Sequence, residues 1–400
     1  IPDANFKAYL VGNSAINTNG DAEIQVSEAT IFNGVIDCNN MNIADLTGIE
    51  VFTALTQLSC NGNNLTSLDA SNNLALDILY CAYNQLTTLD VSSNLSLNQL
   101  YCLNNQLSTL DVSQNTNLTK LRCSNNQFTT LDLSQNTNLT ELWCFYNQLT
   151  HLDVSNHSAL TKLKCQQNQL ISVDASNCAL THLDVAANWG LTNLDCSNNQ
   201  LTTLAINTVN TGNITNLDCS NNQFTNLDVS VTPSLTNLDC SNNPLTTLDV
   251  SSNLSLTNLD CSNNPLTTLD VSSNLSLNQL YCQNNQIGSL DVSSNLSLNQ
   301  LYCQNNQIDT LDVSTNLALT NLDCSNNQLI SLDLSTNLAL TNLDCSNNPL
   351  TTLDVSNSLL TNLDVSSNLS LNQLYCQNNQ IDTLDVSSNL ALTNLDCSNN

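Results

Sequence analysis

Apolar and polar residues alternate in short runs along most of the chain. In a typical stretch, Leu238 and Cys240 flank the polar Asp239, and the same alternation recurs ten residues later around Asp249. A period of two predicts short β-strands whose Leu and Cys side chains face inward and whose Asp side chains face outward. The 3.6-residue spacing of an amphipathic helix is absent, so we expect extended segments on both sides of each turn of the chain.

This alternation repeats with a fixed period, which a cysteine marks. Between Cys60 and Cys397, twelve of the fifteen intervals between successive cysteines of the series are 21 residues, two are 31 and one is 23. A fixed period of this size predicts a solenoid, because one unit cannot bury its apolar face alone and stacked neighbours form the core. We call each 21-residue unit a coil; its first half contains the cysteine and its second half the Leu-Asp-Val segment.

Three places interrupt the period. The two 31-residue intervals equal one coil plus ten residues, so we expect ten-residue insertions around residues 177–185 and 357–365, each adding one Leu-Asp-Val segment. The 23-residue interval contains residues 208–213, which we expect to form a longer loop.

The spacing of the 18 cysteines bears on whether they form disulfides. Neighbouring parallel strands, ~4.8 Å apart, would bring successive cysteines within the Cα range of a disulfide. Their side chains point the same way along the stack, so a bridge would need distortion. We therefore predict buried, unbridged thiols that act as small apolar residues. Cys38 fits as the first member, whereas the pattern assigns no role to Cys178.

The composition disfavours several classes of partner. Only 10% of the residues are charged, and 34 Asp and Glu against five Lys and Arg give a formal net charge of −29. Nucleic acids and anionic membranes attract basic surfaces, so we expect neither as a partner. No apolar run reaches the ~18 residues of a membrane helix, so we expect no membrane insertion. The chain opens at Ile1 without a methionine, which indicates a processed N-terminus.

The repeat has the consensus L-x-x-L-x-C-x-x-N-x-L-x-x-L-D-V-S-x-N, which resembles the 21-residue bacterial leucine-rich repeats with nested 10/11 periodicity, the IRREKO class. The opening Ile1–Phe6 and the stretch Ala44–Glu50 resemble secreted bacterial surface proteins of this kind. The resemblance implies a leucine-rich-repeat solenoid of about 16–17 coils over residues 36–400. It would have a parallel β-sheet on one face, short extended segments on the other and very little helix beyond an N-terminal cap.

The same resemblance implies a secreted or cell-surface location. Proteins of this kind often carry a C-terminal type IX secretion sorting domain. Because Asn400 lies inside a repeat, we expect further C-terminal domains of the same chain to be possible partners of the solenoid.

Residues 1–35 lack the repeat and are predicted to form a helix-loop-helix cap, with helices over Asn5–Val11 and Ser27–Ile31. The loop between them has the oxygen spacing of an EF-hand, which predicts a calcium ion as the one candidate cofactor. The candidate ligands are Asn17, Asn19, Asp21, Glu23 through its backbone carbonyl, and Glu28. Ala22 replaces the glycine that usually permits the sharp turn, so the alternative is a cap with a loop of similar shape and no ion.

Basic and aromatic residues gather in one part of the repeat. Four of the five Lys and Arg residues lie between residues 120 and 164, at outward strand positions. Exposed aromatic residues beside cations are typical of interface hot spots and of glycan stacking. The candidate ligand-binding residues on this concave surface are Tyr80, Tyr83, Tyr101, Lys120, Arg122, Glu141, Trp143, Phe145, Tyr146, Lys162 and Lys164. The alternative is that these coils are older and their outward residues have drifted.

Nothing in the sequence favours catalysis. His151, His157 and His182 are the only histidines, and none has a partner at the spacing of a metal site or a catalytic triad. We therefore expect no enzyme activity but a non-catalytic extracellular recognition or adhesion module that binds a glycan or a protein. The alternative is a passive spacer that displays another domain, which the nearly identical coils over residues 236–307 favour.

Overall fold

The chain folds as a parallel β-solenoid of about 17 turns with very few helices, so the predicted fold class is confirmed. The structure, a computed structural model, describes residues 1–155, 157–204, 206 and 213–400. The chain divides into two compact units, an N-terminal unit of Ile1–Leu191 with Asn198–Thr211 and a C-terminal unit of Thr192–Ser197 with Gly212–Asn400. Most of the loop expected over residues 208–213 lies outside the described residues.

Two short helices precede the repeats, close to their predicted positions. Helix α1 spans Ala4–Gly12, and the Asp3 carboxylate caps it by accepting hydrogen bonds from the first-turn amides. Helix α2 spans Val26–Ile31 and begins with a capping box between Gln25 and Glu28. A 3-10 helix follows at Ile49–Val51. None of the helices in the described part of the chain is long and apolar enough to cross a membrane.

Every strand is three residues long, as the short alternating runs predict. The strands of the N-terminal unit are β1 (Val35–Asp37), β2 (Gln57–Ser59), β3 (Ile78–Tyr80), β4 (Gln99–Tyr101), β5 (Lys120–Arg122), β6 (Glu141–Trp143), β7 (His151–Asp153), β8 (Lys162–Lys164), β9 (Ser172–Asp174) and β10 (His182–Asp184). In this unit β1, β2, β3, β4, β5, β6, β8 and β10 pair in that order, all in parallel, and β7 pairs with β9.

The C-terminal unit has the same construction. Its strands are β11 (Asn193–Asp195), β12 (Asn216–Asp218), β13 (Asn237–Asp239), β14 (Asn258–Asp260), β15 (Gln279–Tyr281), β16 (Gln300–Tyr302), β17 (Asn321–Asp323), β18 (Ser331–Asp333), β19 (Asn342–Asp344), β20 (Thr352–Asp354), β21 (Gln373–Tyr375) and β22 (Asn394–Asp396). Strands β11 to β17 and then β19 form one row, and β18, β20, β21 and β22 form another.

After each ten-residue insertion, a first half of one coil and a second half of another pair in the same row of strands. In the N-terminal unit, Leu163 of a first half pairs with Leu183, which belongs to an inserted Leu-Asp-Val segment. In the C-terminal unit, Leu353 of a second half pairs with Leu374 of a first half. The two half-coils are therefore structurally interchangeable. Tyr375 consequently lies in the row of Asp354, not in the row of Tyr302 where its place in the consensus would put it.

Two rows of asparagines donate hydrogen bonds to backbone carbonyls where the chain leaves each half-coil. In the first row, the Asn243 amide donates to the carbonyls of Cys219 and Cys240, both at 3.1 Å. In the second row, formed by the asparagine that ends the repeat consensus, Asn94 donates to the carbonyl of Ala70 at 2.9 Å. Cys178 occupies this second row and donates its thiol to the Val154 carbonyl at 3.1 Å, which explains the cysteine outside the series.

All 18 cysteines are unbridged, and all except Cys397 are buried. The predicted series of buried thiols is thus confirmed, with one correction: Cys397, which follows the last strand of its row, is exposed. Burial raises the pKa of Cys102 to about 12, and the other buried thiols shift in the same direction. These thiols are therefore neutral at physiological pH and serve as core residues.

The second halves, predicted as short extended segments, pair as strands in only part of the chain. Second halves form strands at β7, β9, β18 and β20, and the inserted segment forms β10. Elsewhere among the described residues the Leu-Asp-Val segments make at most an isolated bridge, such as Asp228 with Asp249. In these segments the aspartate side chain forms a local turn: Asp249 accepts a hydrogen bond from the Ser251 amide at 2.9 Å. The same turn follows paired strands that end in aspartate, such as Asp239 and Asp354, so it does not separate the two kinds of half-coil.

Candidate functional site

The parallel register brings five of the predicted site residues into one row on the outer face of the N-terminal unit. Tyr80 pairs with Tyr101, Tyr101 with Arg122, Arg122 with Trp143, and Trp143 with Lys164. Each is the last residue of its strand, two positions after an outward-facing residue and next to an inward leucine, so period-two alternation turns all five outward. We call this set the aromatic–cation row.

A second row runs beside it and carries charge. Lys120 pairs with Glu141 and Glu141 with Lys162, one position before a buried leucine in each strand. Glu141 is 9% exposed, whereas Lys162 and Lys164 are exposed. The register thus confirms that residues 120–164 place these basic side chains on one surface, although their role in binding stays a prediction.

Arg122 holds the centre of the aromatic–cation row. Its Nε donates to Oε1 of Glu141 at 2.7 Å. Its guanidinium carbon lies 3.7 Å from the centre of the Trp143 ring and 4.6 Å from that of Tyr101. The guanidinium is thereby stacked between two aromatic side chains from the strands on either side, an arrangement that suits its flat, weakly hydrated shape.

Cations flank Trp143 from both neighbouring strands. Lys164 on β8 places its Nζ 4.7 Å from the ring centre, while Arg122 approaches from β5. Tyr101 is similarly placed between Arg122 and Tyr80, whose ring centre is 4.6 Å away. The flat faces of Trp143 and Tyr101 are therefore already in contact with protein groups. Stacking of a sugar ring on these two faces would require the cations to move.

Three further aromatic residues lie on the turns that follow the strands. Tyr83 and Tyr146 are 59% and 51% exposed, and both adopt left-handed backbone conformations with φ of 55° and 53°. Asparagine holds the equivalent position in the coils of Asn104 and Asn125, with the same φ. Asparagine tolerates this conformation better than tyrosine. Phe145 lies beside Tyr146, with ring centres 5.8 Å apart, and extends the aromatic surface from Trp143.

Three lysines of the surface form neither of the two ion pairs of the described residues. The structure shows two ion pairs in the part of the chain that it describes, Lys7 with Glu23 and Arg122 with Glu141. Lys120, Lys162 and Lys164 take part in neither. The surface therefore presents three unpaired ammonium groups around one neutralised Arg–Glu pair, on a protein whose net charge is strongly negative.

The N-terminal loop is closed by its own hydrogen bonds. Oε1 of Glu28 accepts from the backbone amides of Thr18 and Asn19 at 2.7 and 3.1 Å, and Oε2 accepts from the Gln25 amide at 3.0 Å. These donors hold the pKa of the buried Glu28 carboxyl below its usual range. Earlier in the loop, Oδ1 of Asn17 accepts from the Gly20 amide at 2.9 Å.

The side chains of Asn19 and Asp21 are also engaged. Oδ1 of Asn19 accepts from the Asp21 amide, and Oδ1 of Asp21 accepts from the Glu23 amide. The Glu23 carboxylate pairs with Lys7, although the candidate ligand of this residue is its backbone carbonyl. The residue types suit calcium, which prefers oxygen ligands. Glu28 fits it less well, because an ion would have to displace the amide donors that hold both carboxylate oxygens. Calcium binding by this loop stays a prediction.

The stacked coils, the buried leucine rows and the outer strand face define the chain as a leucine-rich-repeat protein. No protein-family model matches the sequence. A stretch of 73 residues is 41% identical to Internalin J of Listeria monocytogenes serotype 4b (strain F2365). The match covers 18% of this chain and 8% of that protein, far less than two thirds of its length.

Solved structures of bacterial repeat proteins resemble the chain over a longer range. The functional domain of InlJ from Listeria monocytogenes, described as including a cysteine ladder, is 38% identical; the alignment covers 94% of this chain and 74% of that one, with a TM-score of 0.43. The leucine-rich-repeat protein LIC12759 of Leptospira interrogans is 25% identical, with coverages of 89% and 93% and a TM-score of 0.40. The chain is thus similar to internalin-type leucine-rich-repeat proteins.

Proposed function

We propose that this protein is a non-catalytic recognition module that binds an acidic segment of a protein partner on the outer strand face of residues 78–167. The observation that carries the proposal is the arrangement around Trp143. Arg122 and Lys164 contact its ring, and Lys120 and Lys162 lie in the neighbouring row of the same strands. Convergent cations on an ordered aromatic base are suited to carboxylates, because the rings fix the positions of the positive groups before the partner arrives.

An acidic protein segment suits this surface better than a neutral glycan. Recognition of a sugar ring by stacking needs an open aromatic face, and the faces of Trp143 and Tyr101 are in contact with Arg122. The exposed rings, Tyr83 and Tyr146, lie at the margin and can contact a bound chain at its edges. A polypeptide with several carboxylates could pair with Lys120, Lys162 and Lys164 at once.

We further propose that the protein acts outside the cell, secreted or at the bacterial surface. The similarity to Internalin J and the resemblance of the repeat to secreted bacterial repeats support this location. Unbridged cysteines are compatible with it, because burial and a raised pKa suppress the thiolate that oxidation requires.

A passive spacer is the second candidate function, and one observation favours it for the C-terminal unit. The coils over residues 236–307 are nearly identical in sequence, and their strands repeat the same burial pattern. A uniform run suits a rod whose length can change by duplication. Recognition by the N-terminal unit and spacing by these coils are compatible roles.

The test uses a fluorescein-labelled hexaglutamate peptide as an acidic probe and a labelled neutral glucan oligosaccharide as a comparison, both titrated against the full chain. We expect the peptide to bind and Lys162→Ser/Lys164→Ser to weaken it at least tenfold. Trp143→Ala should weaken it similarly, because loss of a central aromatic anchor typically costs about 2 kcal/mol or more. Rising salt should weaken binding as well.

Tyr302→Ala provides the matched control, because Tyr302 stacks on Tyr281 with ring centres 5.1 Å apart but has no cation against its ring in the described structure. It should leave the peptide affinity unchanged. Equal losses in the Trp143 and Tyr302 variants would favour a distributed adhesive surface. Tighter binding of the glucan than of the peptide would show that the partner is a glycan.

A further inference from the structure

A row of exposed leucines runs along the C-terminal unit, away from its buried core. Each follows a second-row asparagine in the Asn-Leu-Ser-Leu or Asn-Leu-Ala-Leu segment of its coil. Their exposed fractions are 62%, 62%, 63%, 62% and 57% for Leu254, Leu275, Leu296, Leu317 and Leu338. We call these five residues the leucine ridge.

Hydrogen bonds between coils keep the ridge in register. The amide of Asn274 donates to the Asn253 carbonyl, Asn295 to that of Asn274, and Asn316 to that of Asn295, each at 2.9 Å. Each of these asparagines directly precedes a ridge leucine. Consecutive leucines are therefore held one coil apart, ~4.8 Å for stacked parallel strands.

The ridge is electrically neutral, although the chain carries a formal charge of −29. No Asp, Glu, Lys, Arg or His lies within four positions of any of its five leucines. The flanking positions are serine, threonine, alanine and asparagine, as in residues 251–255. The ridge itself therefore adds no charge repulsion between two copies, while exposed aspartates such as Asp270 and Asp291 lie five positions before its leucines.

The fold does not require leucine at this position. In the N-terminal unit Thr116 and Thr137 directly follow the asparagines of the same row, and both are exposed. Leucine holds the position there in only two successive coils, at Leu74 and Leu95, which are 59% and 58% exposed. Five successive exposed leucines thus have no role in the core of their own chain.

We propose that the leucine ridge is a self-association surface that packs against the ridge of a second copy of this chain. Five such leucines form a patch on the order of 500 Å², the size at which exposed apolar patches on monomers mark interaction sites. Two copies would bury on the order of 1,000 Å², about the minimum for a specific interface. The dimer should therefore be weak and concentration-dependent.

The regular spacing favours a second copy over an unrelated partner. Two rows of leucines with the same pitch can interdigitate along their whole length, whereas a surface without this period cannot match all five positions. An antiparallel two-fold arrangement presents the same patch from both chains and closes at two copies. This surface is independent of the proposed acidic-segment site, which lies on the N-terminal unit.

Sedimentation equilibrium of the full 400-residue chain over a range of concentrations tests the proposal. We expect a reversible shift from 43.3 kDa toward twice that mass. Leu275→Thr/Leu296→Thr/Leu317→Thr, which introduces the residue found at this position in the N-terminal unit, should weaken dimerisation at least tenfold. Added salt should strengthen association of the unmodified chain, because apolar contacts drive it and charge repulsion opposes it.

Leu74→Thr/Leu95→Thr is the matched control, because it alters the same position outside the ridge, and it should leave the dimer unchanged. Circular dichroism and melting temperature check that all variants are folded. A chain that stays monomeric at every concentration overturns the proposal. A dimer that the triple substitution leaves intact also overturns it, because another surface must then form the contact. A mass that keeps rising with concentration overturns it as well, because the contact is then open-ended.

Discussion

The guanidinium of Arg122 lies flat enough against Trp143 to bring its central carbon within 3.7 Å of the ring centre, while its Nε pairs with Glu141. One side chain on β5 therefore contacts two side chains of β6, one in each outer row. Cation–π contacts of this kind contribute about 0.5–2 kcal/mol, more where water is excluded. Arg122 thus links stability of the N-terminal unit to the geometry of its proposed binding surface.

Removal of Arg122 should destabilise the N-terminal unit. Arg122→Ala leaves Glu141, 9% exposed, without its ion-pair partner, so we expect a loss of about 1–3 kcal/mol of unfolding free energy. Arg122→Ala/Glu141→Gln should recover part of the loss. Urea unfolding of these two variants and of Glu141→Gln alone measures this coupling. Additive effects of the two substitutions would show that the pair does not interact energetically.

The buried cysteines should resist labelling in the folded state. Burial raises the pKa of thiols such as Cys102 and Cys178 to about 12 and about 11. Iodoacetamide at pH 8 should therefore leave these thiols unmodified in the folded chain and should modify all 18 in denaturant without reductant. A denatured count near zero would contradict the unbridged assignment.

Two partly buried aspartates should make the C-terminal unit less stable at neutral pH. Burial raises the pKa of Asp218 and Asp239 above its ordinary value of 3.8. The folded state then binds protons more tightly than the unfolded state, so stability falls as pH rises through this window. Asp218→Asn/Asp239→Asn should stabilise the protein at pH 7, by less than about 1 kcal/mol per site because solvent still reaches both groups. The gain should disappear below pH 3.8.

Asp270→Asn is the control with the opposite sign. Hydrogen bonds from the Ser272 hydroxyl and amide hold the pKa of Asp270 below its ordinary value. Its contribution to stability is present above that value and is lost as pH falls through the folded pKa. The substitution should therefore destabilise the protein at pH 7 and have little effect in strong acid. Thermal melts at several pH values compare both sets, and stabilisation by Asp270→Asn at pH 7 would refute the argument.

Tyr83 should show opposite effects on stability and binding. Its φ of 55° is better tolerated by asparagine, the residue at this position in the coil of Asn104. Tyr83→Asn should thus raise the unfolding free energy by roughly 0.5–1 kcal/mol. The same change should weaken hexaglutamate binding, because an exposed ring is lost from the surface. Asn104→Tyr, the reverse change, should destabilise. A stability gain with unchanged affinity would remove Tyr83 from the site.

Calcium should bind the N-terminal loop and stabilise the cap. To bind, it must displace the backbone amides that donate to the Glu28 carboxylate. Titration calorimetry of the full chain with calcium chloride should show one site, and Glu28→Gln should abolish it. Glu50→Gln, an acidic side chain outside the loop, should leave the heats unchanged. Heats equal to those of dilution would show that the hydrogen-bonded loop of Asn17–Glu28 is complete without an ion.

The fold was predictable because period-two alternation and a repeating cysteine each constrain it independently. The placement of Lys120 and Lys162 beside Glu141 also followed from the period, since parallel strands in register bring equal positions together. The covering of the Trp143 ring could not be predicted, because it depends on which rotamers Arg122 and Lys164 adopt. The consensus contains the asparagine of the second row, but a repeated side chain does not show which carbonyls it reaches. His157 and Cys178 contact carbonyls from the same position in two coils.

The exchange of half-coils at the insertions has a consequence for how such a gene can change. Duplication of ten codons adds one half-coil. In every later coil, the second half then occupies the row that the cysteine-bearing first half would otherwise have occupied. Leu374 follows Leu353 in one row, which is the pairing that such an insertion produces. A single replication slip can thus redirect an existing set of outward side chains while each buried position still receives an apolar residue. A new surface then arises because existing outward residues move to a different row, and the core residues need not change.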